Sequence, residues 1–292
     1  MTYTVTHRTS YEYTAPVAVS YHVARLNPRE TSAQMCENSS LEISPGPAVR
    51  GVRSDYFGNQ LCFFSIQEVH ERLEIVARSR VRIRAAAPPA PGTSPEWEQV
   101  AGLFRDPVLP EVVEPYQFVF DSPQVRASRE LAEYAFESFP RGEPILAGAM
   151  DLNRRIHRDF QYDPKATTVA TPLEEVMKSR RGVCQDFAHL GIACLRSIGL
   201  PARYVSGYLH TRPAEGRERL VGADASHAWF AIFCPGAGWI DYDPTNNLQP
   251  AEEHITVALG RDFGDVSPVA GILTGGGRHA VRVSVDVAES QA

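Results

Sequence analysis

Residues 180–209 read RRGVCQDFAHLGIACLRSIGLPARYVSGYL, and the fold turns on how this stretch divides. Phe187, Leu190, Cys194 and Ile198 recur at i, i+3, i+7 and i+11, which predicts a helix beginning near Val183. Gly199-Leu200-Pro201 stops it. The next eight residues, ARYVSGYL, are rich in β-forming types and predict a strand. Cys184 therefore falls in the first turn of a helix. Unpaired N–H groups and the macrodipole there favour negative charge, so a thiolate is easier to form. Gly182 lets the backbone bend and leaves room for a substrate, and Arg180 and Arg181 add positive potential that solvent weakens. Cys194 lies deeper on the apolar stripe and reads as core.

Working outward, two more β-rich runs follow the helix: SHAWFAIF (226–233) and GWIDYDP (238–244). Upstream, Thr171-Pro172 marks a helix start, with Thr171 as N-cap, Glu174 and Glu175 in the first turn and Gly182 at the end. Residues 123–160 carry two further helical patterns. Helices followed by antiparallel strands make an α+β unit rather than a doubly wound one. Residues 1–88 alternate in the manner of strands, with Gly58-Asn59 as a turn between two of them. They predict a β-sandwich-like domain. Residues 89–121 are proline-dense and predict an extended connector, leaving 122–292 as the second unit. Its last strand is expected at HAVRVSVDV, 279–287.

A nucleophilic cysteine needs a base. His189 is five positions past Cys184, about 140° round the helix, and faces elsewhere. His227 opens a run whose turn centres near Pro235, and Asp243 lies as far beyond that centre as His227 lies before it. A hairpin would bring the two together at its open end. Asp241 points to the same face and competes for the role; Asn246 is a third choice. An imidazole held by a carboxylate keeps the right tautomer and is stabilised once protonated. No metal and no cofactor are expected, because a fourth zinc ligand at a sensible spacing is missing. A net charge of −6 argues against nucleic acid as a partner, and no apolar run is long enough to cross a bilayer. Five scattered cysteines without a CxxC pair suggest no disulfide framework. With no signal-peptide layout at the N-terminus, a cytoplasmic location is expected.

The stretches 180–209, 226–247 (SHAWFAIFCPGAGWIDYDPTNN) and 254–268 (HITVALGRDFGDVSP) resemble the bacterial transglutaminase-like proteins, within the transglutaminase/papain-like superfamily. YEYTAPV, RLNPRE and DYFGNQL, from the first 88 residues, resemble the β domain that precedes that core. The resemblance implies a papain-like core of helices packed on an antiparallel sheet. It also implies a triad in which Cys184 is the nucleophile, His227 the base and Asp243, rather than Asp241, the orienting carboxylate. The implied chemistry is acyl transfer on a peptide or protein amide through a thioester. Water as acceptor makes a protease or amidase; a lysine amine makes a transglutaminase. A non-catalytic scaffold of the same fold is the third possibility. The animal crosslinking enzymes use a tryptophan upstream of the cysteine for the oxyanion, but none lies here between Trp97 and Trp229. Papain-like proteases use a glutamine where this chain has Lys178. Hydrolysis is accordingly the expected outcome, with Tyr162 a candidate for the missing oxyanion donor.

Overall fold

The computed structural model describes residues 1–84, 87–105, 109–211 and 226–290. Its longest strand, β1 (Thr2–Ala24), organises the first unit. The register of β1 against β5 (His70–Ile83) runs evenly from Thr2↔Arg82 to Glu12↔Arg72, then slips to Val17↔His70. Pro16 sits in that slip, where a residue without an N–H costs the ladder nothing. β2 (Gln34–Ser44) flanks β5, while β3 (Val49–Ser54) flanks β4 (Gln60–Ile66) beside the second half of β1. Tyr13, Val17, Phe64, Ile66, Leu73 and Ile75 form the core of this unit. The expected turn at Gly58-Asn59 falls between β3 and β4, with Gly58 at φ 73°.

The described residues of 89–121 are not an extended connector; 106–108 lie outside the described residues. They hold α1 (Trp97–Leu103), α2 (Pro110–Tyr116) and two short 3-10 turns. Val100, Phe104, Val112 and Phe118 are buried in the main core. Prolines suggested a breaker, yet Pro110 opens α2, where its fixed φ suits a first turn.

Next come α3 (Arg129–Phe136), α4 (Ile145–Asp159), β6 (Gln161–Tyr162), α5 (Leu173–Ser179), β7 (Arg181–Gly182) and α6 (Cys184–Ser197). In α5 the helix starts one residue later than expected, with Pro172 as N-cap. It ends on Arg180, which takes the left-handed C-cap conformation at φ 54° instead of Gly182. α6 is buried on every side from Asp186 to Arg196, so it is the central helix of the core rather than an amphipathic one. Its Gly191 lies flat on Phe230; a Cβ there would stand 2.6 Å from that ring. Beneath it lies a four-stranded antiparallel sheet of order β10-β9-β8-β11: β8 (Ala202–Leu209), β9 (Ser226–Cys234), β10 (Gly238–Tyr242) and β11 (His254–Gly260). No described helix is long and apolar enough to cross a membrane.

A short α7 (Phe263–Val266) leads to β12 (Val269–Gly275) and β13 (His279–Glu289). The expected last strand exists, but it does not join the 122–292 unit. β13 runs along the first half of β1, from Tyr3↔Glu289 to Tyr13↔His279, and β12 along its second half. The chain end thereby covers edges of the N-terminal sheet that would otherwise be open to aggregation. Val285 and Val287 are buried in the main core with Tyr3 and Val5, which ties the two units together.

Two side-chain amides seal the other junction. β11 is an edge strand, and its outer backbone groups need partners. Gln34 gives its amide N–H to Thr256 O and accepts from Thr256 N, both at 2.8 Å. Asn59 does the same at Leu259, again at 2.8 Å each way. One residue of β8 has a stricter demand. Gly207 stands between His227 and Thr256 in the ladder, and a Cβ there would meet Ile255 O and lie 2.5 Å from Trp229 Cη2. Gly207→Ala is expected to cost about 1–3 kcal/mol through overpacking, read as a lower urea midpoint at unchanged m-value.

Candidate active site

Cys184 is the first residue of α6, half-buried and free of any disulfide. The turn ahead of it is built around Asp186. This carboxylate accepts from Val183 N at 2.8 Å and from the Thr167 hydroxyl at 2.6 Å. It thus caps the helix from its third position and ties down the loop that crosses it. Burial pushes the Asp186 carboxyl up, against the pull of those two donors. Gly182 is required here for a reason the sequence did not suggest: a Cβ would lie 2.8 Å from Asp186 Oδ2. The glycine makes room for the capping carboxylate.

The two arginines have partners of their own. The Arg180 guanidinium lies over Phe160, 4.7 Å from its centroid, and Arg181 approaches Asp163 at 3.7 Å. Tyr162 pairs with Gly182 in the parallel bridge of β6 and β7, which sets it next to the start of α6. Its side chain is half-exposed, and burial together with the Cys184 charge raises its phenol pKa.

His227, on β9, is buried, hydrogen-bonds to Asp243 and interacts electrostatically with Cys184. Its Nε2–H donates to Asp243 Oδ2 at 2.7 Å, which leaves Nδ1 for the thiol. Burial by itself would lower the imidazole pKa. Asp243 and Cys184 outweigh it and lift the value to about 10. Asp243 is fully buried and collects five hydrogen bonds. Oδ1 takes Thr245 N at 3.0 Å and Asn246 N at 3.2 Å. Oδ2 takes His227, the Asn246 amide at 2.7 Å and His254 Nε2 at 3.1 Å. Burial would raise this carboxyl, but these donors, His227 foremost, hold it well below the usual carboxylate range.

The hairpin count erred by one. Cys234 pairs with Gly238 and Phe230 with Tyr242, so the turn centres on Gly236. Carried one step on, that register sets Asp243 across from Trp229, and its contact with His227 is diagonal. Parity keeps both on one face. Asp241 shares the face but has Arg203 as its main electrostatic partner, and burial raises its carboxyl. The structure brings Cys184, His227 and Asp243 together and leaves Asp241 outside. Asn246 braces Asp243 instead of replacing it.

His189 is buried and accepts from Phe263 N at 3.1 Å; His157 bonds to Thr245 O at 3.0 Å. Neither joins the group. His254 does, and no role was read for it. It opens β11, two strands from β9, and its ring stands edge-on to Trp229 at 5.2 Å. A strand-initial histidine before ITVALG was the only signal. His227, Asp243 and His254 have the composition of a metal site. Their geometry suits hydrogen bonding better, because both imidazole N–H groups converge on one oxygen. Ligands bonded to a metal at about 2.0–2.2 Å would sit farther apart than the 2.7 Å seen here.

Comparisons with known proteins agree with this architecture. Residues 3–82 match the bacterial transglutaminase-like N-terminal region, and residues 133–244 match the transglutaminase-like superfamily. An uncharacterised Mycobacterium tuberculosis protein is 40% identical over 98% of this chain and 92% of its own length. A protein-glutamine gamma-glutamyltransferase of Pseudomonas aeruginosa is 31% identical over 46% of this chain, which is 21% of that protein. A crystal structure of a presumed cysteine protease from Cytophaga hutchinsonii superposes with a TM-score of 0.77. It covers 100% of this chain and 91% of its own, at 21% identity, a likeness of fold.

Proposed function

We propose a function from the premise that the chain belongs to the transglutaminase-like superfamily: it is a cysteine-dependent acyl-transfer enzyme that hydrolyses amide bonds in peptides or proteins. The observation that carries this reading is a His227 held by Asp243 at 2.7 Å and electrostatically coupled to Cys184, whose thiol stands at a helix N-terminus. In the proposed cycle, the Cys184 thiolate, its proton already held on His227 Nδ1, attacks the amide carbonyl carbon. The oxyanion is met by the Cys184 backbone N–H at the head of α6, with the Tyr162 hydroxyl as second donor. His227 returns the proton to the departing amine as the C–N bond breaks, leaving a thioester. A water then loses a proton to His227 and adds to the thioester carbon. The C–S bond breaks, releasing the acid and restoring the thiolate–imidazolium pair. Throughout, Asp243 holds the tautomer with Nε2–H and balances the imidazolium.

Half-exposure of Cys184 supports water as the acceptor. The Pseudomonas relative supports amine exchange as a second reading. A peptide library incubated with and without a primary amine separates the two. Hydrolysis gives new carboxylates, including acid from glutamine side chains, with or without amine. Product that forms only when amine is present would overturn the hydrolytic reading, and no product in either arm would overturn both. The five free thiols suit the cytoplasm, which we propose as the location.

A further inference from the structure

The donors that hold the Asp243 carboxylate are of two kinds. Thr245 N, Asn246 N and the Asn246 amide lie within three residues of it and fix the carboxylate to its own turn. Among the described residues, only His227 and His254 reach it from elsewhere in the fold. His227 changes charge during the proposed cycle, so its hold on Oδ2 is not constant. We propose that His254 is a positioning residue: from the edge strand β11 it holds Asp243 Oδ2 where His227 needs it, and the β unit holds His254 in turn. The proposal rests on the acyl-transfer reading of Cys184, His227 and Asp243.

Asp243 is an ionised carboxylate, held well below the usual range, and can only accept hydrogen bonds. The His254 Nε2 at 3.1 Å from Oδ2 therefore carries a proton, whatever the charge of the ring. That ring is buried, and its edge-on contact with Trp229 limits its rotation. A buried donor on a charged acceptor contributes more than one on a neutral acceptor. The bond also ties the two edges of the four-stranded sheet. Asp243 directly follows β10 and His254 opens β11, with β9 and β8 between them.

The head of β11 is fixed from the β unit. Two residues beyond His254, Thr256 O accepts from Gln34 Nε2 at 2.8 Å and from Arg29 N at 3.0 Å. Thr256 N donates to Gln34 Oε1, again at 2.8 Å. Gln34 is itself buried, so these bonds are shielded from competition by water. The loop ahead of β2 thereby fixes the strand that carries His254. This gives the β unit a part in the chemistry through one strand.

The test compares His254→Gln with His254→Asn in the full chain. A glutamine amide nitrogen reaches about as far as imidazole Nε2, whereas that of asparagine falls short. His254→Asn is expected to lower kcat about 10- to 100-fold at unchanged KM, the effect of one hydrogen bond to a charged group, and His254→Gln to restore most of it. Alkylation of Cys184 by iodoacetamide at neutral pH should slow in His254→Asn and recover in His254→Gln. In an Asp243→Asn background, His254→Asn should cost nothing further, because the residue acts through Asp243. Gln34→Ala should lower kcat in the same sense by a smaller factor, and it keeps the test open if a His254 variant fails to fold. Equal losses in the Gln and Asn variants, or wild-type kcat in His254→Asn, would overturn the assignment. So would a further loss in the Asp243→Asn background, or faster alkylation in His254→Asn. Wild-type kcat in Gln34→Ala would overturn the part given to the β unit. Alkylation needs no substrate, so it decides on His254 even if no peptide is hydrolysed and the acyl-transfer reading fails.

Discussion

A His227→Ala variant is expected to lose the fast, selective alkylation of Cys184 by iodoacetamide near neutral pH, with kcat/KM falling about 10³- to 10⁴-fold. The other four thiols are the internal control. Cys194 is fully buried, and burial pushes its pKa up to about 12, so it stays unreactive in both proteins. Comparable slow labelling of several cysteines in the wild type would sink the nucleophile assignment. The same variant should also change the pH dependence of stability. Burial opposes a charged His227, yet Asp243 and Cys184 raise its folded pKa to about 10, above the ordinary 6.5. The folded protein therefore holds a proton that the unfolded chain has lost between those values. The stabilisation is complete below about pH 6.5 and is lost as pH rises towards 10. Urea midpoints of the wild type should decline across that window, and those of His227→Ala should not show that component. Activity should have an alkaline limb in the same region, because a deprotonated His227 cannot protonate the leaving amine.

How much of this was legible depends on the range of each interaction. The reactive end of α6 lay in twelve consecutive residues, where a glycine, a polar first turn and an apolar period are all local signals. The pairing of His227 with Asp243 was legible because a hairpin is nearly local too. The register erred by one because Gly236 and Gly238, both at φ 79°, take up the turn beyond Pro235. Parity survived that error, so the shared face survived. The alternation in 279–287 showed a strand but could not show its partner, which lies more than 260 residues earlier in β1. His254 stayed silent for a related reason. Only the order β10-β9-β8-β11 brings the head of an edge strand to the carboxylate of a distant turn.

Replacing Asp243 by asparagine should cost more than its near-identical shape suggests. An asparagine Oδ1 can still accept from Thr245 N and Asn246 N. Its amide nitrogen, however, would face three donors in place of Oδ2: His227 Nε2–H, His254 Nε2–H and the Asn246 side chain. Either those donors stay unpaired in a fully buried site, or His227 adopts the other tautomer and turns an N–H towards Cys184, where a base is needed. Removing one partner of a buried charge network costs about 3–5 kcal/mol, which urea unfolding would read directly. The wrong tautomer predicts a fall in kcat of about 10⁴-fold, the size the same change has at a serine protease triad. Acid titration supplies a further check. A carboxyl held below its ordinary value stabilises the fold above about pH 3.9, and that contribution fades as pH falls through its depressed folded pKa. The stability gap between wild type and Asp243→Asn should therefore be full at neutral pH and narrow in strong acid. A gap constant with pH would mean that Asp243 acts through shape alone. An Asp243→Asn variant retaining wild-type kcat would remove it from the chemistry, leaving Cys184 and His227 as an unassisted pair.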